Sequence, residues 1–131
     1  MAGFQLRLQR ELFDLNYEQL LSMVQCVGEK KGKRRDIYIC LLNEVHQSQF
    51  HISIAELKSS NPDRSAELPK KKRSWSIKEL IGIDAKHNEL VKEEAQQEFS
   101  LDFEGKIFTW TSVNTEEKKK FLSTLINLSA R

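Results

Sequence analysis

Apolar and polar positions change rhythm several times along the chain. Phe4, Leu8, Leu12 and Leu15 recur at helical spacing with Arg7, Arg10 and Glu11 between them. That pattern predicts a short amphipathic N-terminal helix with one face to bury. An apolar run of strand length follows, Leu20-Leu21-Ser22-Met23-Val24-Gln25-Cys26-Val27, closed by Gly28. Residues 29–36 read as a charged loop around a central glycine, and Ile37-Tyr38-Ile39-Cys40-Leu41-Leu42 resumes β composition, so the two runs predict a hairpin. Phe50, Ile52 and Ile54 alternate with His51 and Ser53, which predicts a strand with one buried and one polar face. Residues 58–73, with Ser59-Ser60-Asn61-Pro62, Pro69 and many charges, read as a long surface loop. Trp75 and Ile77 alternate with Ser74 and Ser76, then Leu80, Ile81 and Ile83 form a short apolar group. Residues 84–97 are polar and suit a loop or a loosely held helix. The clearest β signal comes last: Phe99, Leu101 and Phe103 alternate with Ser100, Asp102 and Glu104, Gly105-Lys106 turns, and Ile107, Phe108 and Trp110 return. Asn114, with Glu117 three residues on to reach back to it, marks a helix start. The helix carries Phe121, Leu122, Leu125 and Ile126 on one face and Lys118, Lys119 and Lys120 on the other.

The order is a short helix, about seven short strands and one amphipathic helix, with no βαβ alternation. It predicts a mainly β (α+β) fold, a seven-stranded bent sandwich or barrel whose open end the last helix covers. With 131 residues the chain is one domain's worth. Its expected parts are an N-terminal helix and lead-in over 1–18, the β barrel over 19–113 and the capping helix over 114–131. At 39% hydrophobic and 31% charged, the composition is that of a globular chain. No stretch approaches the ~20 apolar residues of a membrane-spanning helix, and the N-terminus lacks the pattern of a secretory signal. Cys26 and Cys40 sit inside apolar runs and read as reduced, buried thiols of a cytoplasmic protein.

Candidate chemistry is sparse. There is no Gly-rich phosphate loop before a helix, no G-x-S-x-G and no C-x-x-C. His46, His51 and His87 have no partner spacing, and Glu93-Glu94 and Glu116-Glu117 suit solvation or helix capping. The expectation is a non-enzymatic chain without catalytic residues, metal or cofactor. What remains is charge. The formal net charge is only +2, but residues 1–73 hold 13 Lys/Arg against 9 Asp/Glu, and residues 74–131 hold 8 against 10. Two runs carry most of the excess: Lys30, Lys31, Lys33, Arg34 and Arg35 at the first hairpin, and Lys70, Lys71, Lys72 and Arg73 before the tryptophan strand. Each basic residue beside an anionic leaflet contributes about 1 kcal/mol. Four or five together give about 4–5 kcal/mol, an affinity near millimolar. Firm recruitment therefore needs charge-assisted hydrogen bonds to head-group phosphates, for which Arg34, Arg35 and Arg73 are suited, or a second anchor.

These basic loops on this architecture resemble a pleckstrin-homology (PH) domain. The resemblance narrows to the N-terminal domain family of exocyst complex component one and amisyn. It is carried by Leu8-Gln9-Arg10-Glu11-Leu12-Phe13 followed by Glu18-Gln19-Leu20-Leu21-Ser22-Met23-Val24, by the Lys-rich hairpin leading into Tyr38-Ile39-Cys40-Leu41, and by Trp75-Ser76-Ile77-Lys78-Glu79-Leu80 with Ile83-Asp84. The closing Glu98-Phe99-Ser100-Leu101-Asp102-Phe103, Trp110 and Glu116-Glu117-Lys118 with Phe121 extend it over nearly the whole chain. It implies a module that binds anionic phosphoinositides, typically phosphatidylinositol 4,5-bisphosphate, through the two basic runs. It also implies a peripheral place at the plasma membrane in vesicle tethering and exocytosis, and other exocyst subunits and a Rho-family GTPase as partners. Such domains often place a lysine at the very end of the first strand, where the predicted strand here ends in Val27-Gly28. The long helical remainder of the exocyst subunit and the coiled-coil tail of amisyn are missing, so the expectation is an isolated domain or a short paralogue.

Other readings of the same residues are open. Pro69-Lys70-Lys71-Lys72-Arg73 matches a basic nuclear-localisation run. Nucleic-acid binding needs exposed aromatics among the basic residues, whereas Phe99, Phe103, Phe108 and Trp110 follow strand alternation and read as core, which argues against it. The serious rival is a protein-interaction adaptor whose basic loops face a Rho-family GTPase or another acidic partner. Trp75 reads as core rather than membrane-inserting. The N-terminal stripe reads as packing on its own barrel or on a second copy, so a homodimer formed by exchanging an end helix is a further possibility.

Overall fold

The alternating runs become seven strands: β1 (Glu18–Lys30), β2 (Lys33–Glu44), β3 (Gln49–Lys58), β4 (Lys70–Ser76), β5 (Leu80–Ala85), β6 (Glu98–Phe103) and β7 (Lys106–Ser112), followed by the helix α1 (Thr115–Ser129). The computed structural model describes residues 8–10, 12–13, 17–30, 32–46, 49–58, 70–85 and 97–129, with backbone alone at 29–30, 33–34, 57–58, 70–72 and 85. All pairings are antiparallel, in the order β4-β3-β2-β1-β7-β6-β5. β1 is therefore the seam between two meanders. It pairs with β2 along nearly its whole length but with β7 only at Cys26↔Ser112 and Val27↔Thr111. Across the interior, Trp75 of β4 stacks on Phe103 of β6 with ring centroids 4.3 Å apart. The sheet is thus bent over on itself, which is the expected sandwich.

Two clusters hold it. The inner one joins Val24, Ile39 and Ile52 of the first meander to Phe99, Leu101 and Trp110 of the second, under Phe121, Leu122 and Leu125 of α1. The alternation of β6 is realised as written, with Phe99, Leu101 and Phe103 all buried. Trp75 packs against this cluster, as expected of a core residue. Cys26 and Cys40 are free and buried.

The polar face expected on β3 is not solvent-facing. His51 and Ser53 are buried because the far side of the first meander has its own apolar cover. Leu8 and Phe13 lie there against Leu20, Met23, Tyr38 and Leu42. Leu8–Arg10 are helical, and the Leu8 carbonyl accepts from the N–H of Leu12 and of Phe13 at 2.9 and 3.2 Å. Gln9 clips this turn to the sheet: Nε2 donates to the Glu18 carbonyl at 2.9 Å, and Oε1 accepts from the Leu20 N–H. The described part of the N-terminal stripe thus packs on its own sheet; Phe4 and Leu15 lie outside the described residues.

The last helix departs from expectation in two ways. Asn114 caps it, its Oδ1 accepting from the Glu117 N–H at 3.0 Å. Glu117 does not reach back; its carboxylate accepts instead from the N–H of Gln25, fastening the helix to β1. Lys118 is not on the polar face but fully buried, because positions 118, 121, 122 and 125 form one helical stripe, with Ile126 at its exposed margin. A complete capping box forms elsewhere, between Ser76 and Glu79 at the 3-10 turn Ile77–Glu79.

Candidate functional site

The first basic run is β-structure rather than loop. The ladder continues through Val27↔Asp36, Gly28↔Arg35, Glu29↔Arg34 and Lys30↔Lys33, with Gly32 in the turn. Backbone pairing, rather than an apolar face, defines strand here, and at its base Asp36 is buried. Gly28 does not end the strand: a Cβ there would meet Ile37 Cδ1 at 2.7 Å, so Ile37 fills the space that the glycine leaves. Gly32 supplies the positive φ, +75°, that the tight turn requires. With the strand extended, its last residue is Lys30 rather than Gly28.

The second run is also strand. β4 begins at Lys70, and the residues of the expected loop that are described, Lys58 and Lys70–Arg73, all lie in strands. Asp84 and Ala85 likewise belong to β5. Lys31, residues 59–69 and residues 86–96, with His87 and Glu93-Glu94, lie outside the described residues.

Register brings the two runs together. Arg35 on β2 is opposite Lys58 on β3, and Glu56, two residues before Lys58, is opposite Lys70 on β4. Strand neighbours lie about 4.8 Å apart, so β2 and β4 are about 10 Å apart at this level. Lys30, Lys33, Arg34, Arg35, Lys58 and Lys70 thus occupy one end of the first meander. Lys71 is opposite Ala55, and an irregularity in the pairing puts Arg73 opposite Ile54, further down the sheet.

Two arginine side chains can be followed. The Arg35 guanidinium lies 4.0 Å from the Glu56 carboxylate, and its buried Nε has no hydrogen-bond partner among the described residues. Arg73 is exposed, with its guanidinium 5.4 Å from the centroid of the Phe108 ring, a cation–π distance. This contact ties the β4 run to the second meander. Sequence reading missed Lys58 and Glu56, since a lone charge at a strand end carries no pattern until the register is known.

His51 sits between the carboxylates of Glu18 and Glu44 at 3.6 and 3.5 Å, and His46 is exposed edge-on to Tyr17. Burial pushes the Cys26 thiol far above its ordinary pKa, with the Glu117 charge adding to it. Burial also lowers the pKa of Lys118, with Lys119 adding, while its ammonium donates to the Glu98 carbonyl at 3.2 Å. No group of three or more His, Cys, Asp or Glu among the described residues could hold a metal ion. No described helix is long and apolar enough to cross a membrane.

A bent seven-stranded antiparallel sheet, capped by a C-terminal helix and carrying basic residues at one end, has the build of a PH-type module. A family model described as the exocyst complex component SEC3 N-terminal PIP2-binding PH domain matches residues 30–131. Exocyst complex component 1 of mouse is 31% identical over 132 aligned positions, covering 100% of this chain. Its fruit-fly counterpart is 31% identical over 125, covering 95%. The chain belongs to this Sec3 N-terminal PH family, and it spans 14% and 13% of the length of the two relatives. No solved structure gives a significant match.

Proposed function

We propose that residues 1–131 act as one PH-type unit that reads polyphosphorylated phosphoinositides, phosphatidylinositol 4,5-bisphosphate in particular. It would hold its partners of the exocyst apparatus peripherally at the plasma membrane. The observation that supports this reading is the register, which brings Lys30, Lys33, Arg34 and Arg35 of the first run and Lys70 of the second to one end of a single meander. Lys30, Lys31, Lys33, Arg34 and Arg35 of the hairpin, with Lys70, Lys71, Lys72 and Arg73 of β4, would contact the head group. The arginines would offer paired donors to phosphate and the lysines the surrounding field.

Liposome co-sedimentation at about 0.15 M salt, where screening acts over ~8 Å, tests it. Vesicles of phosphatidylserine are compared with the same vesicles carrying phosphatidylinositol 4,5-bisphosphate. The expected result is a preference for the latter that is lost when Lys33, Arg34 and Arg35 are each changed to Glu. Intact binding by that variant would move the site away from the hairpin. No preference in the wild type would give the basic end to an acidic protein surface, a Rho-family GTPase being the partner that the resemblance implies.

A further inference from the structure

Of the acidic residues near the basic end, Glu29 and Asp36 lie within the hairpin itself, and a third, Glu56, stands between the two runs. Glu56 on β3 has Ile37 of β2 and Lys70 of β4 as its cross-strand partners, so its backbone lies between the two basic runs. Its Oε2 is 4.0 Å from Nη1 of Arg35, with the two side chains 25% and 20% exposed. That separation is too long for a hydrogen bond, so the pair is a charge contact rather than a locked fork. The Arg35 Nε is buried and has no acceptor among the described residues, so an arriving anion has to be met by the outer Nη groups of the guanidinium. An anion arriving at this end meets a carboxylate that competes for Arg35 and whose field opposes it. The field term grows in proportion to the charge of the arriving group.

We propose that Glu56 is a built-in counter-ion that sets the affinity and selectivity of the basic end. It weakens the binding of polyphosphorylated head groups more than that of singly charged lipids. This rests on the phosphoinositide reading above and adds to it a residue that holds binding below what the basic residues alone would give.

The test compares wild type, Glu56→Gln and Glu56→Asp. The probes are phosphatidylserine vesicles, the same vesicles with phosphatidylinositol 4,5-bisphosphate, and soluble inositol 1,4,5-trisphosphate by calorimetry. Thermal melts check that each variant is folded. Removing one charge from a partly solvated site is expected to tighten binding to the bisphosphate vesicles and the trisphosphate by about fivefold. Phosphatidylserine should gain less, so the preference widens, and Glu56→Asp, which keeps the charge, should stay at the wild-type level. Weaker or unchanged binding by Glu56→Gln would mean that Glu56 braces Arg35 instead and would overturn the proposal. So would an equal gain on both vesicles, or a gain by Glu56→Asp. A wild type without preference defeats the phosphoinositide reading alone; the role of Glu56 then stands or falls on whether Glu56→Gln raises trisphosphate affinity.

Discussion

Burial at single residues decides chemistry that composition leaves open. Lys118 belongs to a run of three lysines that reads as a solvated face, yet it is buried and donates to the Glu98 carbonyl. Only the helical phase, with 118 three and four residues before Phe121 and Leu122, could have singled it out. Cys26 shows how burial couples to pH. Its native thiol keeps its proton well past the pH at which an unfolded thiol, with a pKa of about 8.5, loses it. Above that pH the native state binds more protons than the unfolded one, so the stability present at neutral pH declines as pH rises. Urea unfolding of wild type and Cys26→Ala should therefore show a stability gap that narrows between about pH 8 and 10. A gap that stays constant would mean that Cys26 titrates alike in both states.

The kind of each strand and of the last helix was legible in the sequence, but strand lengths and the 3-10 turn at Ile77–Glu79 were not. Strand β6 follows its alternation residue by residue, with Phe99, Leu101 and Phe103 buried, whereas in β7 Ile107 is exposed and Ser112 is buried. The β1–β2 hairpin defeats the same reasoning, since only backbone pairing defines it there. The polar face of β3 misled for a related reason: its cover comes from Leu8 and Phe13, far back in the sequence. Helix α1 depends on a tertiary bond as well as on its cap. Glu117 satisfies the Gln25 N–H at the point where β1 leaves β7. Glu117→Ala should cost about 1–3 kcal/mol in chemical denaturation by stranding that donor. Glu116→Ala, at an exposed position, should stay within about 0.5 kcal/mol of wild type. Equal losses would show that first-turn charge, rather than the tie to β1, is what matters.

Over the whole molecule, the apolar clusters and the basic end are spatially separate. The clusters lie between the meanders and beneath the N-terminal turn, and among the described residues none of Gly28, Arg35 and Asp36 is a buried member of either. Reversing the charge of Lys33, Arg34 and Arg35 should abolish most vesicle binding, and any drop in the urea midpoint should come from Arg35→Glu, which sets a second carboxylate beside Glu56, rather than from Lys33→Glu or Arg34→Glu. A large loss of stability would show that Arg35 and its Glu56 contact are part of the scaffold. The two basic runs were legible in the sequence. That both border strands near one end, and so can share a patch, was legible too; the register that aligns Arg35 with Lys58 and Glu56 with Lys70 was not, since it is set by apolar residues elsewhere.

The two clusters also differ in when they can exist. Every residue of the outer cluster falls between Leu8 and Ala55, while the inner one needs Phe99, Trp110 and Leu125. A ribosome releases the first set well before the second. The strand pair that closes the molecule joins positions 26 and 112, a slow, long-range event. The first meander, with most of its basic end, is thus equipped to form on its own core while the closing strand is still unmade. Pulsed hydrogen exchange during refolding should show β1–β3 amides protected before those of β6 and β7, and simultaneous protection would mean that neither half holds without the other.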